Sequence, residues 1–208
     1  MKALSTEQAE AIQEIINIGF GRAASAVAQI LCARLELSVP FVATVESDSV
    51  VEFLRQHFQN QDPVSLVQQS FYGNFMGEAA LILPKGSSQV LVEMLSSDMG
   101  YVPELDADKL EQEVLLEIGN LVIGASLGQF AALLQTRVAF KPPHVAQEML
   151  CSDDFQRRVS QVKGGALLVR TSFRIKEKMV SGYLFFFLSA QCLEWLIQAV
   201  DKFLEEQT

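Results

Sequence analysis

The chain has 208 residues, half of them apolar, with 25 acidic against 16 basic residues and a formal charge of −9. That is enough for one well-buried domain, or two small halves sharing a core. The acidic balance and the lack of any Lys/Arg cluster exclude the positive footprint needed to grip a nucleic-acid backbone or an anionic membrane.

Cys32, Cys151 and Cys192 are widely spaced and odd in number, which suits neither a disulfide framework nor a zinc site. The N-terminus carries one basic residue, Lys2, and then turns polar, unlike a signal peptide. A cytoplasmic protein is the expectation.

In chain order, Ser5-Thr6-Glu7-Gln8 forms a capping-box arrangement that predicts a helix over 5–34. Strand-like runs follow at 39–45, 65–72 and 79–83, with a helical connection at 50–58 and a closing helix at 89–95. The segment 96–105, holding Gly100 and Pro103, reads as a linker.

A second capping-box arrangement, Asp108-Lys109-Leu110-Glu111, opens a helix over 108–137. Its apolar stretch 114–134 is broken by Glu117, Asn120 and three glycines, so it reads as a buried helix in preference to a membrane span. Strands are then expected at 137–140, 166–173 and 182–188, a helical connection at 145–159 and a closing helix at 191–204.

The two halves are copies. An offset of 103 residues superposes Glu10 on Glu113, Glu14 on Glu117, Ile15 on Ile118 and Asn17 on Asn120, and it runs through Gly21/Gly124, Ala28/Ala131 and Arg34/Arg137 to Pro40/Pro143 without an insertion. Short hairpin-like strand pairs favour antiparallel pairing. The expected architecture is therefore α+β with pseudo-two-fold symmetry: an antiparallel sheet flanked by two long repeated helices, in one domain over 1–208 built from repeats of about 1–103 and 104–208.

At 100° per residue, Glu10, Glu14, Asn17 and Gly21 fall within roughly 60° of one another on one helix face. In the second copy Leu115, Leu116, Ile118, Leu121, Val122 and Ile123 surround the equivalent stripe. A carboxylate beside a carboxamide, about 5 to 6 Å apart at Cβ, can grip a cation with one group and orient a water with the other. Neither is a good nucleophile. The pair suits phosphoryl transfer to water, in which positioning dominates.

A lone Glu or Asn on a helix is ordinarily part of a solvated face. Duplication weighs against that reading, although a duplication can also preserve residues for packing. Pro40 and Pro143 read as structural, setting the backbone where the chain enters a strand.

Other signals carry less. Gly19-Phe20-Gly21-Arg22-Ala23-Ala24 mimics a dinucleotide fingerprint but lies inside a helix with no preceding strand. His57 and His144 share no ligand spacing. Glu10 and Glu14 cannot flank a scissile bond from opposite sides, as a glycosidase pair must.

Glu14-x-x-Asn17 followed after 22 residues by Pro40, and Glu117-x-x-Asn120 followed after 22 by Pro143, resemble the signature of the CheC family of chemotaxis phosphatases, and the resemblance spans the whole chain. Glu10 and Glu113 stand where that signature carries Asp or Ser. The resemblance implies a phosphatase acting on the aspartyl phosphate of a CheY-like receiver domain. Glu14 and Glu117 would pair with a receiver lysine, and Asn17 and Asn120 would position the attacking water. No cofactor of its own is implied, because the phosphorylated receiver would bring Mg²⁺. A CheD-like deamidase is a further possible partner; nucleic acid and membrane are not expected. The competing reading is a non-catalytic adaptor that binds a receiver or a CheD-like protein.

Overall fold

The computed structural model describes residues 4–30, 35–38, 41–46, 49, 50, 52, 53, 56, 63–98, 107–148, 164–175 and 178–206. Helix α1 spans Thr6–Ile30. Ser5 Oγ accepts from the Gln8 amide at 3.1 Å while Gln8 Oε1 accepts from the Ser5 amide at 2.9 Å, so the first capping box forms as the sequence predicts. Ile12, Ile15, Ile16 and Phe20 recur at helical spacing and are buried, each contributing roughly 1.5–3 kcal/mol through removal from water.

Strands β1 (Leu35–Leu37) and β2 (Phe41–Glu46) follow, and Ser49, Val50, Glu52, Phe53 and Gln56 are helical, as expected for that connection. Hairpin β3 (Val64–Gly73) and β4 (Gly77–Pro84) leads into α2 (Lys85–Asp98). Helix α3 (Ala107–Leu133) begins the second half, followed by β5 (Val138–Phe140), β6 (His144–Glu148), hairpin β7 (Gly164–Ile175) and β8 (Lys178–Ser189), and α4 (Ala190–Glu205).

All eight strands form one antiparallel sheet in the order β1-β7-β8-β4-β3-β5, with β2 also on β7 and β6 also on β3. The first two strands of each half thus pair with the hairpin of the other half. At the centre Leu81 faces Leu184, flanked by Ile82–Tyr183 and Ala80–Phe185. Adding 103 to one member of either flanking pair gives a member of the other, and Leu81 and Leu184 are themselves 103 apart. The register of the central strands therefore repeats the sequence duplication about that leucine pair.

Central strands are buried on both faces. Phe186 lies with the helices, edge-on to Phe130 at 6.2 Å. Phe185 and Phe187 stack on the opposite face at 5.8 Å, and Phe53 meets Phe185 edge-on there. The Phe185-Phe186-Phe187 run that would be an aggregation hazard if exposed is covered. Helix α3 is long and apolar enough over Lys109–Ala132 to cross a membrane by length and composition. Here its Val114, Leu115, Ile118, Ile123, Leu127 and Phe130 belong to the packed core.

Three expectations change. The predicted helix over 145–159 is a strand where it is described: Val145 pairs with Val67 and Ala146 with Leu66. The helical preference of Ala, Gln and Glu in this stretch loses to edge pairing along β3. Helix α3 ends at Leu133, short of 137, because Gln135 turns to φ 50° and the Thr136 amide reaches back to Ala131 O at 2.8 Å. The Gln135 amide meanwhile reaches Ala132 O, completing a Schellman motif with glutamine in the position glycine usually takes. At the start of α3 the Glu111 carboxylate is engaged in tertiary bonds. The Glu111 carboxylate accepts from Ser88 at 2.9 Å, Ser65 at 3.2 Å and Gln147 at 3.3 Å. The closing helix predicted at 89–95 extends over Lys85–Asp98. Pro40, 31–34, 99–105 of the expected linker, and 149–159 lie outside the described residues.

Candidate functional site

The residues singled out by the sequence sit on α1 and α3, with their backs to the core. On α1, Glu10 and Glu14 are exposed and Asn17 is half-buried, while Ile15 and Ile16 beside it are buried. On α3, Glu113, Glu117 and Asn120 are all exposed above buried Leu115 and Ile118. Each stripe is therefore reachable from solvent, and neither asparagine is sealed inside. A Cβ added to Gly21 or Gly124, one turn beyond each asparagine, would meet nothing within 4 Å, so each end of the stripe opens onto free space.

What holds the stripes differs. Helix α3 packs on β3 through Gly119: a Cβ there would lie 2.5 Å from Val67 Cγ1, so close that the helix or the valine would have to shift. The missing side chain lets the helix backbone settle onto the strand. Position 16 of α1, the repeat equivalent of Gly119, is a fully buried isoleucine. Helices α1 and α3 also touch closely, since a Cβ on Gly19 would lie 3.0 Å from Ser126 Cα.

That close seating brings Asn120 to a residue the sequence reading missed. Gln69 of β3 is 2% exposed, and its Nε2 donates to Asn120 Oδ1 at 3.1 Å and to the Lys141 carbonyl at 3.0 Å. Its Oε1 is buried without a partner, an arrangement that costs about 1–3 kcal/mol. A signal was present: Gln69 falls on the inward parity of the strand between Val67 and Phe71, where an apolar residue is expected. Among the described residues the Asn17 side chain makes no hydrogen bond.

A cleft of about 250 Å³ lies at the N-terminal end of α3, lined by Glu111, Gln112, Leu115, Val145 and Gln147. Of its polar lining, Glu111 and Gln147 belong to the network described above and are already bonded to one another. No group of three or more His, Cys, Asp or Glu side chains converges among the described residues.

No protein-family model matches the chain. It is 28% identical over 173 residues to the CheY-P phosphatase CheC of Bacillus subtilis (strain 168), covering 81% of this chain and 81% of that protein. The X-ray structure of Thermotoga maritima FliY superposes with a TM-score of 0.73 at 21% identity, covering 96% of this chain and 98% of that one. A chain of the FliG-FliM complex from H. pylori shares the fold at a TM-score of 0.64 and 15% identity, covering 94% of this chain and 100% of that one. The chain is thus similar in sequence to CheC over four fifths of both proteins, and it shares its mixed antiparallel fold with FliY.

Proposed function

We propose that this protein is a cytoplasmic phosphatase that hydrolyses the aspartyl phosphate of a CheY-like receiver domain at two sites, one on α1 and one on α3. The observation that carries the reading is the pair of outward-facing Glu-Asn stripes on two helices whose other faces are packed. The relative named as a CheY-P phosphatase supports it.

In this reading Asn17 and Asn120 each hold a water in line with the phosphorus. The water oxygen forms the new P–O bond, the bond to the receiver's aspartate oxygen breaks, and the water's proton passes to phosphate or solvent. Glu14 and Glu117 hold the receiver by its lysine ammonium, and Mg²⁺ arrives with the phosphorylated receiver. An acyl phosphate is already labile, so a ~100-fold acceleration needs only about 2.7 kcal/mol of transition-state stabilisation. One well-positioned water per site is sufficient for that.

The test is the decay rate of a CheY receiver, phosphorylated with acetyl phosphate, with and without this protein. Asn17→Ala combined with Asn120→Ala should return the decay to its uncatalysed rate while circular dichroism and the melting temperature stay close to wild type. Full turnover in that double variant would remove the mechanism. A second reading, an adaptor that docks a receiver or a CheD-like deamidase without hydrolysis, draws on the same fold occurring in a chain of the FliG-FliM complex. It predicts binding of the receiver with no change in decay.

A further inference from the structure

Gln69 lies on β3 of the first half, yet it acts on the helix of the second. The Lys141 carbonyl can only accept a hydrogen bond, so it fixes which end of the Gln69 amide faces it. The same nitrogen then has only a hydrogen to offer Asn120. Asn120 is held with Oδ1 turned toward the strand and Nδ2 turned away from it. A glutamine retained here only for packing is hard to explain, because its Oε1 is left buried and unpaired, and a methionine would fill the space without the orphan.

We propose, resting on the phosphatase reading above, that Gln69 is a positioning residue for Asn120. It fixes the carboxamide in one orientation, leaving the outward amide hydrogens and the second lone pair of Oδ1 to hold the attacking water. Gly119 belongs to the same device, since its missing Cβ lets α3 approach Val67 and bring Asn120 within reach of Gln69. The α1 site is built otherwise. His144 pairs with Gln68, and Phe41, its repeat equivalent, pairs with Arg170. The strand position corresponding to Gln69 is therefore held by Thr171, and Ile16 replaces Gly119. Orientation of Asn120 before the receiver arrives lowers the ordering cost at the moment of reaction.

The experiment places Gln69→Met in two backgrounds, Asn17→Ala and Asn120→Ala, and follows the decay of CheY phosphorylated with acetyl phosphate. With only the α3 site intact, kcat should fall about tenfold, the size expected from losing one positioning hydrogen bond, and KM for the phosphorylated receiver should move less than twofold. In the Asn120→Ala background the effect should disappear. The melting temperature should hold or rise, because the unpaired Oε1 is gone, so activity and stability move apart. An equal loss in both backgrounds, or none in either, overturns the proposal; Gln69→Leu repeats the test should Gln69→Met not fold. The side-chain amide resonances of Asn120, assigned by their disappearance in Asn120→Ala, should shift on Gln69→Met. If the wild-type chain leaves the decay unchanged, both the phosphatase reading and the catalytic role of Gln69 fall. The resonances then separate a wrong reaction from a wrong contact.

Discussion

Helices α1 and α3 carry the same Glu-x-x-Asn pattern, but their seats are different. Under α3 the contact with the sheet is a glycine against Val67 and a buried amide, Gln69, reaching up to the asparagine. Under α1 the equivalent contact is a buried isoleucine. Duplication preserved what faces outward and let the supports diverge. In the proposed function each outward stripe meets the same kind of partner, whereas a buried contact need only fill its own local volume.

Four measurements would break or sharpen that contrast. The largest effect should come from Ile16→Ala, which leaves a cavity under α1 and should cost about 2–5 kcal/mol in urea denaturation. A cost below about 1 kcal/mol would mean that this isoleucine is not what seats the helix. Next, Glu14→Gln and Glu117→Gln should each raise KM for the phosphorylated receiver at their own site roughly tenfold, the loss of one charge-assisted contact, with kcat nearly unchanged. A fall in kcat alone would assign the carboxylates to chemistry in place of docking.

Gly119→Ala should be destabilising by about 1–2 kcal/mol despite alanine's better helix propensity, because the new methyl meets Val67. Coupling it with Val67→Ala should recover part of the loss, and strict additivity would place the strain elsewhere. The smallest effect is expected at the helix start. Ser5→Ala removes the acceptor of the Gln8 amide and should cost typically about 1 kcal/mol. Asp108→Ala should cost less, since the Glu111 carboxylate at that second start is bound to Ser65, Ser88 and Gln147; an equal cost would mean that the cap at Asp108 counts as much as the one at Ser5.

The long helices were legible because their signals are local: a cap at Ser5, apolar spacing at Ile12, Ile15, Ile16 and Phe20, and a polar stripe breaking an oily rod. The α+β class and the central strands were legible from short apolar runs between turns. Strand β6 was not, since the residues of His144–Glu148 have no strong strand preference and take their conformation from pairing with β3. The end of α3 was missed because nothing in glutamine announces a left-handed backbone; the bond from Thr136 to Ala131 imposes it.

By itself the sequence determined the duplication, the two helices and the four outward side chains Glu14, Asn17, Glu117 and Asn120, because repetition and helical periodicity are properties of residue order. Tertiary structure alone decided that each half lends its first strands to the other's hairpin, and that Gln69 from one half meets Asn120 of the other. Those partners lie 51 residues apart in the chain. No local preference encodes such a meeting, and only the register of the shared sheet and the absent side chain at Gly119 bring it about.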